Sequence, residues 1–324
     1  MSRSARFPLS DHSDGRLFFT PGAPPLPTVR DILRWQRSRQ AAPWPTQVPI
    51  HAAPFSPAPA GSPRLHVTWI NHSSFLLEKG GHRLLIDPVY STRCGPWGRF
   101  GPKRVHPPGI PWDHLPRIDA VLLTHDHYDH CDLPTLARLA RRHAPAAVTP
   151  LGNGTLLRRA GLTEIVELDW GQDTTLAGGV QVTVTPSQHW SNRLTGTRNA
   201  RLWGGFHLRW PDGTTLYCAG DTGYHRTLFR QIRTTLGEPD VALLPIGAYE
   251  PRWFMRGQHC NPQEAVQIHR DVGARRSIAM HWGTFQLTDE ARETPPRALQ
   301  AARAEAGLEE NAFRILEPGE TLLV

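Results

Sequence analysis

The chain has 324 residues, with 36 Lys and Arg against 29 Asp and Glu, a net charge of +7, and 17 His. An apolar share of 39% excludes wholesale disorder, and the length allows one large domain or two ordinary ones with a sizeable core. There is no run of about 18 apolar residues to cross a bilayer and no uninterrupted apolar stretch of an export signal near the start, so a cytoplasmic protein, with peripheral membrane attachment left open, is expected.

Residues 1–64 form a Pro-rich extension: positions 21–64 hold 11 prolines, which break long regular elements. One helix interrupts it, over Thr28–Arg37. Thr28 caps, Asp31 stands three residues on, and Val29, Ile32, Leu33 and Gln36 mark one face with arginines around it. Such a basic amphipathic pattern suits a helix packed on the domain behind it or one lying on a membrane. The first setting is the expected one.

From residue 65 to 324 the pattern becomes that of a layered α/β domain. Strands are predicted at Leu65–Ile70, Ser74–Glu78, Arg83–Asp87 and Ile118–Thr124, and helices at Leu133–Arg142 and Thr155–Ala160. Further strands follow at Val180–Thr185, Gly205–Trp210, Thr214–Ala219, Val241–Pro245 and Ser277–His281. The last part reads as helices at Pro262–Asp271 and Pro296–Ala306 and closing strands at Ala312–Leu316 and Thr321–Val324. Cys94, Cys131, Cys218 and Cys260 stand singly, without a C-x-x-C pair, and are expected to be reduced thiols.

The strongest chemical signal is His125-Asp126-His127-Tyr128-Asp129-His130, directly after an apolar strand. Its H-x-H-x-D-H pattern places four metal-capable side chains within six positions, and imidazole and carboxylate donors suit zinc and similar divalent ions. His125 and His127 are two apart, so an extended backbone points both the same way. A turn can carry Asp129 and His130 to a second ion. His189, Asp221 and His281 each follow the C-terminal end of an apolar strand, beside small residues or glycine. Strand ends on one side of a sheet are where ligands gather in α/β proteins.

With Ile86-Asp87-Pro88, Leu202-Trp203-Gly204, Pro245–Met255 and His281-Trp282-Gly283-Thr284-Phe285, these motifs resemble the metallo-β-lactamase superfamily. Within it they resemble the N-acyl-phosphatidylethanolamine-hydrolysing phospholipase D family, from about Thr68 to Leu316. The resemblance implies an αβ/βα sandwich with two Zn2+ ions, another divalent metal remaining open. His125, His127 and His189 would hold one ion, Asp129, His130 and His281 the other, and Asp221 would bridge them. Asp87 would orient a ligand histidine, unless it is an ordinary Asp-Pro turn. The implied reaction is attack of a metal-activated hydroxide on a phosphodiester, releasing N-acylethanolamine and leaving phosphatidic acid. A homodimer is also implied.

Gln258-His259 resembles a Gln-His pair of the same family, though Asn261 and Gly257 depart from its pattern. His259 is a candidate to protonate the leaving oxygen or to touch the phosphate, and equally a polar loop residue. Tyr128 and Gln258 are candidate substrate contacts. Arg252 and Lys103-Arg104 suit either lipid phosphate or solvent, and Trp35, Trp44, Trp253 and Phe254 are candidates to meet acyl chains. The absence of a G-x-S-x-G elbow removes the usual serine-hydrolase alternative. The competing readings are a lactonase or soluble phosphodiesterase of the same fold and, less well supported, a nucleic-acid-processing protein. The net charge permits the last, but no compact Lys/Arg run or dedicated module points to it.

Overall fold

Alternation along the strands decides which side of each sheet faces what, and it builds two layers from this chain. The computed structural model describes residues 5–51, 54–193 and 196–324. A small hairpin, β1 (Leu9–Ser10) and β2 (Ser13–Asp14), precedes helix α1 (Val29–Ser38). Then come β3 (His66–Asn71), β4 (Ser74–Lys79), β5 (His82–Ile86), β6 (Ala120–Leu122), α2 (Leu133–His143), β7 (Ala146–Pro150), α3 (Gly154–Arg159) and β8 (Ile165–Leu168). The second half runs β9 (Asp173–Thr175), β10 (Gln181–Thr185), β11 (Gly205–Arg209), β12 (Thr215–Cys218), α4 (Leu228–Leu236), β13 (Val241–Pro245), α5 (Arg252–Met255), α6 (Pro262–Val272), β14 (Arg276–Met280), α7 (Thr294–Glu305), β15 (Phe313–Arg314) and β16 (Thr321–Leu323).

The sheets each have seven strands, in the orders β16-β3-β4-β5-β6-β7-β8 and β15-β14-β13-β12-β11-β10-β9. Leu84, Ile86, Ala120 and Leu122 point inward, into one core with Val182, Val184, Phe206 and Leu208 of the second sheet. Their neighbours Leu85, Val121 and Leu123 point outward, against Leu136 and Leu139 of α2 and Leu156 and Leu157 of α3. Period-two alternation with apolar residues on both sides is what a sheet covered on both faces requires. Phe229, Ile232, Ala265, Ile268 and Leu299, from α4, α6 and α7, join the core on the second sheet's side. Helices therefore flank two face-to-face sheets, the αβ/βα arrangement. Each fully buried Leu or Phe contributes about 1.5–3 kcal/mol to holding these layers together.

β5 to β8 run parallel, as do β12 to β15, so several strand C-termini open on shared edges. Besides the small β1-β2 hairpin, three strands of the two large sheets escape the sequence pattern. β7 is Ala-Ala-Val-Thr-Pro, too small-sided to announce itself, yet it lies between β6 and β8. β8 and β9 are short and half-covered. The expected closing strand at Ala312–Leu316 shrinks to Phe313–Arg314, because Glu310–Ala312 forms a turn of tight helix first.

Residues of the Pro-rich extension are laid onto the rest by individual bonds. Phe18 is buried with Leu202 and Trp203, His12 Nε2 lies 2.8 Å from Asp169 Oδ1, and Trp44 Nε1 donates to Glu290 O at 2.8 Å. The capping box on α1 forms as expected: Thr28 Oγ1 accepts from Asp31 N, and Thr28 N donates to Asp31 Oδ2. The expected packing face does not. No α1 residue is buried, and Val29, Ile32 and Leu33 stay exposed. The helix is held instead by Trp35, which stacks on Phe254 at 4.9 Å and donates to Asp289 Oδ2 at 2.8 Å.

Candidate metal centre at the strand ends

Five strand C-termini deliver the site. Asp87 follows β5, the 123–130 loop follows β6, His189 follows β10, Asp221 follows β12 and His281 follows β14. Tight backbone turns aim them: Asp87 and His281 have φ of 40° and 59°, in the left-handed region that non-glycine residues rarely enter. Gly220, just before Asp221, is also left-handed at φ 61°, and a Cβ there would lie 2.6 Å from Gly204 O.

The seven candidate donors come together. His127 Nδ1 is 3.0 Å from His125 Nε2 and 3.2 Å from His189 Nε2. Asp221 Oδ2 lies 3.9 Å from His125 Nε2 and 3.7 Å from His189 Nε2. On the other side Asp221 Oδ1 is 3.2 Å from His130 Nε2, and Asp221 Oδ2 is 3.0 Å from His281 Nε2. Asp129 Oδ2 is 3.7 Å from His130 Nε2 and 3.3 Å from His281 Nε2. Asp221 thus belongs to both groups.

The histidines are turned by their rear nitrogens. His130 Nδ1 donates to Asp87 Oδ2 at 2.7 Å, and His189 Nδ1 donates to the Gln258 carbonyl at 2.9 Å. Thr124 Oγ1 spends its proton on Asp87 Oδ2 at 2.6 Å, so it accepts from His125 Nδ1 at 2.9 Å. Each of these rings is thereby fixed with its Nε2 lone pair facing the centre. His130 Nε2, His281 Nε2 and Asp221 Oδ1 are buried without a hydrogen-bond partner. Bare lone pairs facing one another in a dry site repel, and a cation relieves them. Tetrahedral ligands about 2.0–2.1 Å from an ion lie about 3.3 Å apart, close to the spacing found here. The residues present therefore fit a metal.

The electrostatics agree. Burial pushes His127 down to about 4 and His189 down to about 3, which keeps both neutral. Burial alone would raise the Asp221 carboxyl, but His130 and His281 override it and hold it well below the carboxylate range. Buried Asp129 and Asp221 call for positive charge, which a proton on His281 or a metal ion supplies.

His72, which no sequence motif marks, sits in the turn between β3 and β4 with φ 43°. Its Nε2 donates to Asp129 Oδ2 at 2.9 Å, and it groups with Asp129, His130 and His281 as a cluster of potential ligands. A lone histidine in a strand-connecting turn gives no sequence signal. Asp126 is tied to Arg201 at 3.0 Å and accepts from Asn192 N, bracing the metal loop against the 191–201 segment.

A cavity of about 710 Å³ opens over the cluster, walled by Tyr128, Trp190, Phe254, Met255 and Leu287 and reached by Asp129, Asp221 and His259. His259 Nδ1 lies 3.9 Å from Asp221 Oδ2, and burial holds this ring well below its usual range. Gln258 acts on His189 through its backbone carbonyl, and the residue also lines the cavity. Tyr128 donates to Arg193 O at 2.9 Å with the Arg193 guanidinium over its ring. Arg252 is engaged with His259 O and Glu264, and Arg104 is buried against the Val89 and Ser91 carbonyls, so both serve the fold. A larger groove of about 1040 Å³, beside Pro24, Tyr224 and Arg256, includes none of the seven donors.

The family model for the beta-lactamase superfamily domain matches residues 82–282. The chain belongs to the metallo-β-lactamase superfamily. Among its relatives, an uncharacterized protein of Mycobacterium tuberculosis is 40% identical over 277 residues, covering 84% of this chain and 71% of that one. The N-acyl-phosphatidylethanolamine-hydrolyzing phospholipase D 1 of Caenorhabditis elegans is 34% identical over 267 residues, covering 79% of this chain and 75% of that one. The structure of Igni18, a metallo hydrolase from Ignicoccus hospitalis, aligns with a TM-score of 0.60 at 23% identity, over 81% of this chain and 98% of that one, a likeness of fold. Metal-dependent hydrolysis is the coarse activity these relationships support.

Proposed function

We propose that the protein is a phosphodiesterase of phospholipase D type, cleaving N-acyl-phosphatidylethanolamine or a related phospholipid with two zinc ions. The observation that carries this reading is the paired donor set, joined through Asp221, at the floor of an apolar-walled cavity. The name carried by the Caenorhabditis elegans relative supports it. His125, His127 and His189 would hold one ion, and Asp129, His130 and His281 the other, with Asp221 between them. When bound, the ions supply an acidified water and neutralise a phosphodiester's negative charge.

The chain's own residues do the rest. Asp87, Thr124 and the Gln258 carbonyl keep the rear nitrogens of three rings protonated, so the front nitrogens stay available. His72 holds Asp129 in place. His259 donates a hydrogen bond to the phosphoryl group from the cavity wall. Trp190, Phe254 and Leu287 exclude water and take apolar chains.

The test is product identification by mass spectrometry after incubating zinc-loaded protein with N-acyl-phosphatidylethanolamine, a lactone and bis(4-nitrophenyl) phosphate in separate reactions. Phosphatidic acid and N-acylethanolamine are expected from the first. Opening of the lactone alone would overturn the assignment. Asp221→Asn should lose turnover by at least about a hundredfold, with an unchanged circular dichroism spectrum.

A further inference from the structure

We propose that the outward face of α1 is a docking surface for an anionic phospholipid bilayer, resting on the reading of the site as a phospholipid hydrolase. Leu33 and Trp35 are two positions apart and so lie about 160° apart round the helix. Trp35 faces the protein. Leu33 therefore points away from the body and is 44% exposed, while Val29, about 120° round from Trp35, and Ile32, about 60° from it, border the cavity mouth and are 70% and 38% exposed. A stripe of apolar side chains left this exposed on an amphipathic helix is the reverse of ordinary packing, which buries them against the body.

The stripe lies at the cavity. Val29 and Ile32 form part of its wall, together with Phe254, whose neighbour Trp253 is 42% exposed. A second segment behaves alike: the loop carrying Cys94, also in the cavity wall, projects Trp97 and Phe100, 75% and 57% exposed with rings 5.9 Å apart. Exposed aromatic and aliphatic side chains beside a cavity mouth suit the headgroup layer of a membrane.

Charge selects the occupant. Arg30 and Arg37 are exposed beside the stripe, and neither has an ion-pair partner among the described residues. The one acid of the helix, Asp31, is engaged by the Thr28 cap. A second copy packed two-fold on this face would set these arginines against their own kind, whereas anionic headgroups neutralise them at about fivefold in affinity per arginine.

The experiment is co-sedimentation of the full chain with vesicles of phosphatidylcholine alone and of phosphatidylcholine mixed with phosphatidylglycerol. Wild type is expected to sediment with the mixed vesicles, and Leu33→Glu/Arg37→Glu to partition at least about tenfold more weakly. Turnover of bis(4-nitrophenyl) phosphate should be the same in both proteins. Equal sedimentation of variant and wild type, or none with either vesicle, overturns the proposal. So does a concentration-dependent dimer in sedimentation velocity that the variant abolishes, because a second copy would then cover the stripe. Failure of wild type to cleave any phosphodiester would sink the proposed reaction and leave the vesicle result to decide the docking surface by itself.

Discussion

Asp87 shows how much one side chain organises. Its carboxylate accepts from Thr124 N, Thr124 Oγ1 and His130 Nδ1, and through Thr124 it fixes His125 as well. Asp87→Asn keeps the volume but weakens the acceptor that sets the His130 tautomer. Metal affinity and turnover are expected to fall about 10–100-fold, read by metal content after dialysis against a weak chelator and by initial rates. The H-x-H-x-D-H cluster was legible because four donors in six positions have no packing reason to be there. His189, Asp221 and His281 were legible by their place after apolar strands. His72 was not: its role depends on a turn whose φ of 43° throws the ring toward Asp129, and nothing in Asn71-His72-Ser73 announces that.

Helix α1 was legible in extent and cap but not in orientation. Its periodicity marks Val29, Ile32 and Leu33 as an apolar face, and periodicity cannot say whether such a face meets protein or something else. Trp35, off that face, decides the matter through one stack and one indole hydrogen bond. Trp35→Ala should therefore free the helix, lowering its local opening free energy by about 1–3 kcal/mol, the sum of one lost hydrogen bond and one lost aromatic stack. Hydrogen exchange would show faster exchange confined to residues 29–38, with the central strands unchanged. The small-sided strand β7 is illegible in the sequence for the converse reason. Ala-Ala-Val-Thr-Pro carries little pattern of its own, and it is a strand because β6 and β8 offer it edges on both sides.

At the scale of the whole molecule, three histidines outside the proposed metal ligands set an acid limit. Burial pushes His106, His207 and His269 from the ordinary 6.5 down to about 4. The unfolded chain therefore binds more protons than the native one between these values. Their contribution to stability is whole above about pH 6.5 and is lost as pH falls toward 4, at up to about 1.4 kcal/mol per pH unit for each ring. Melting temperature should decline over that window, and His207→Gln should flatten the decline.

The donor set draws from both sheets: His125, His127, Asp129 and His130 hang from the first, His189, Asp221 and His281 from the second. Ions seated as proposed would stitch the layers at their open rim, while the apolar interior joins them everywhere else. Stripping the ions should lower the melting temperature by about 5–10 °C, the linkage expected for a ligand present well above its dissociation constant. Protease nicks in the stripped protein should then fall in the segments at the rim, around residues 125–130 and 219–223, so that cleavage pattern becomes a gauge of metal loading.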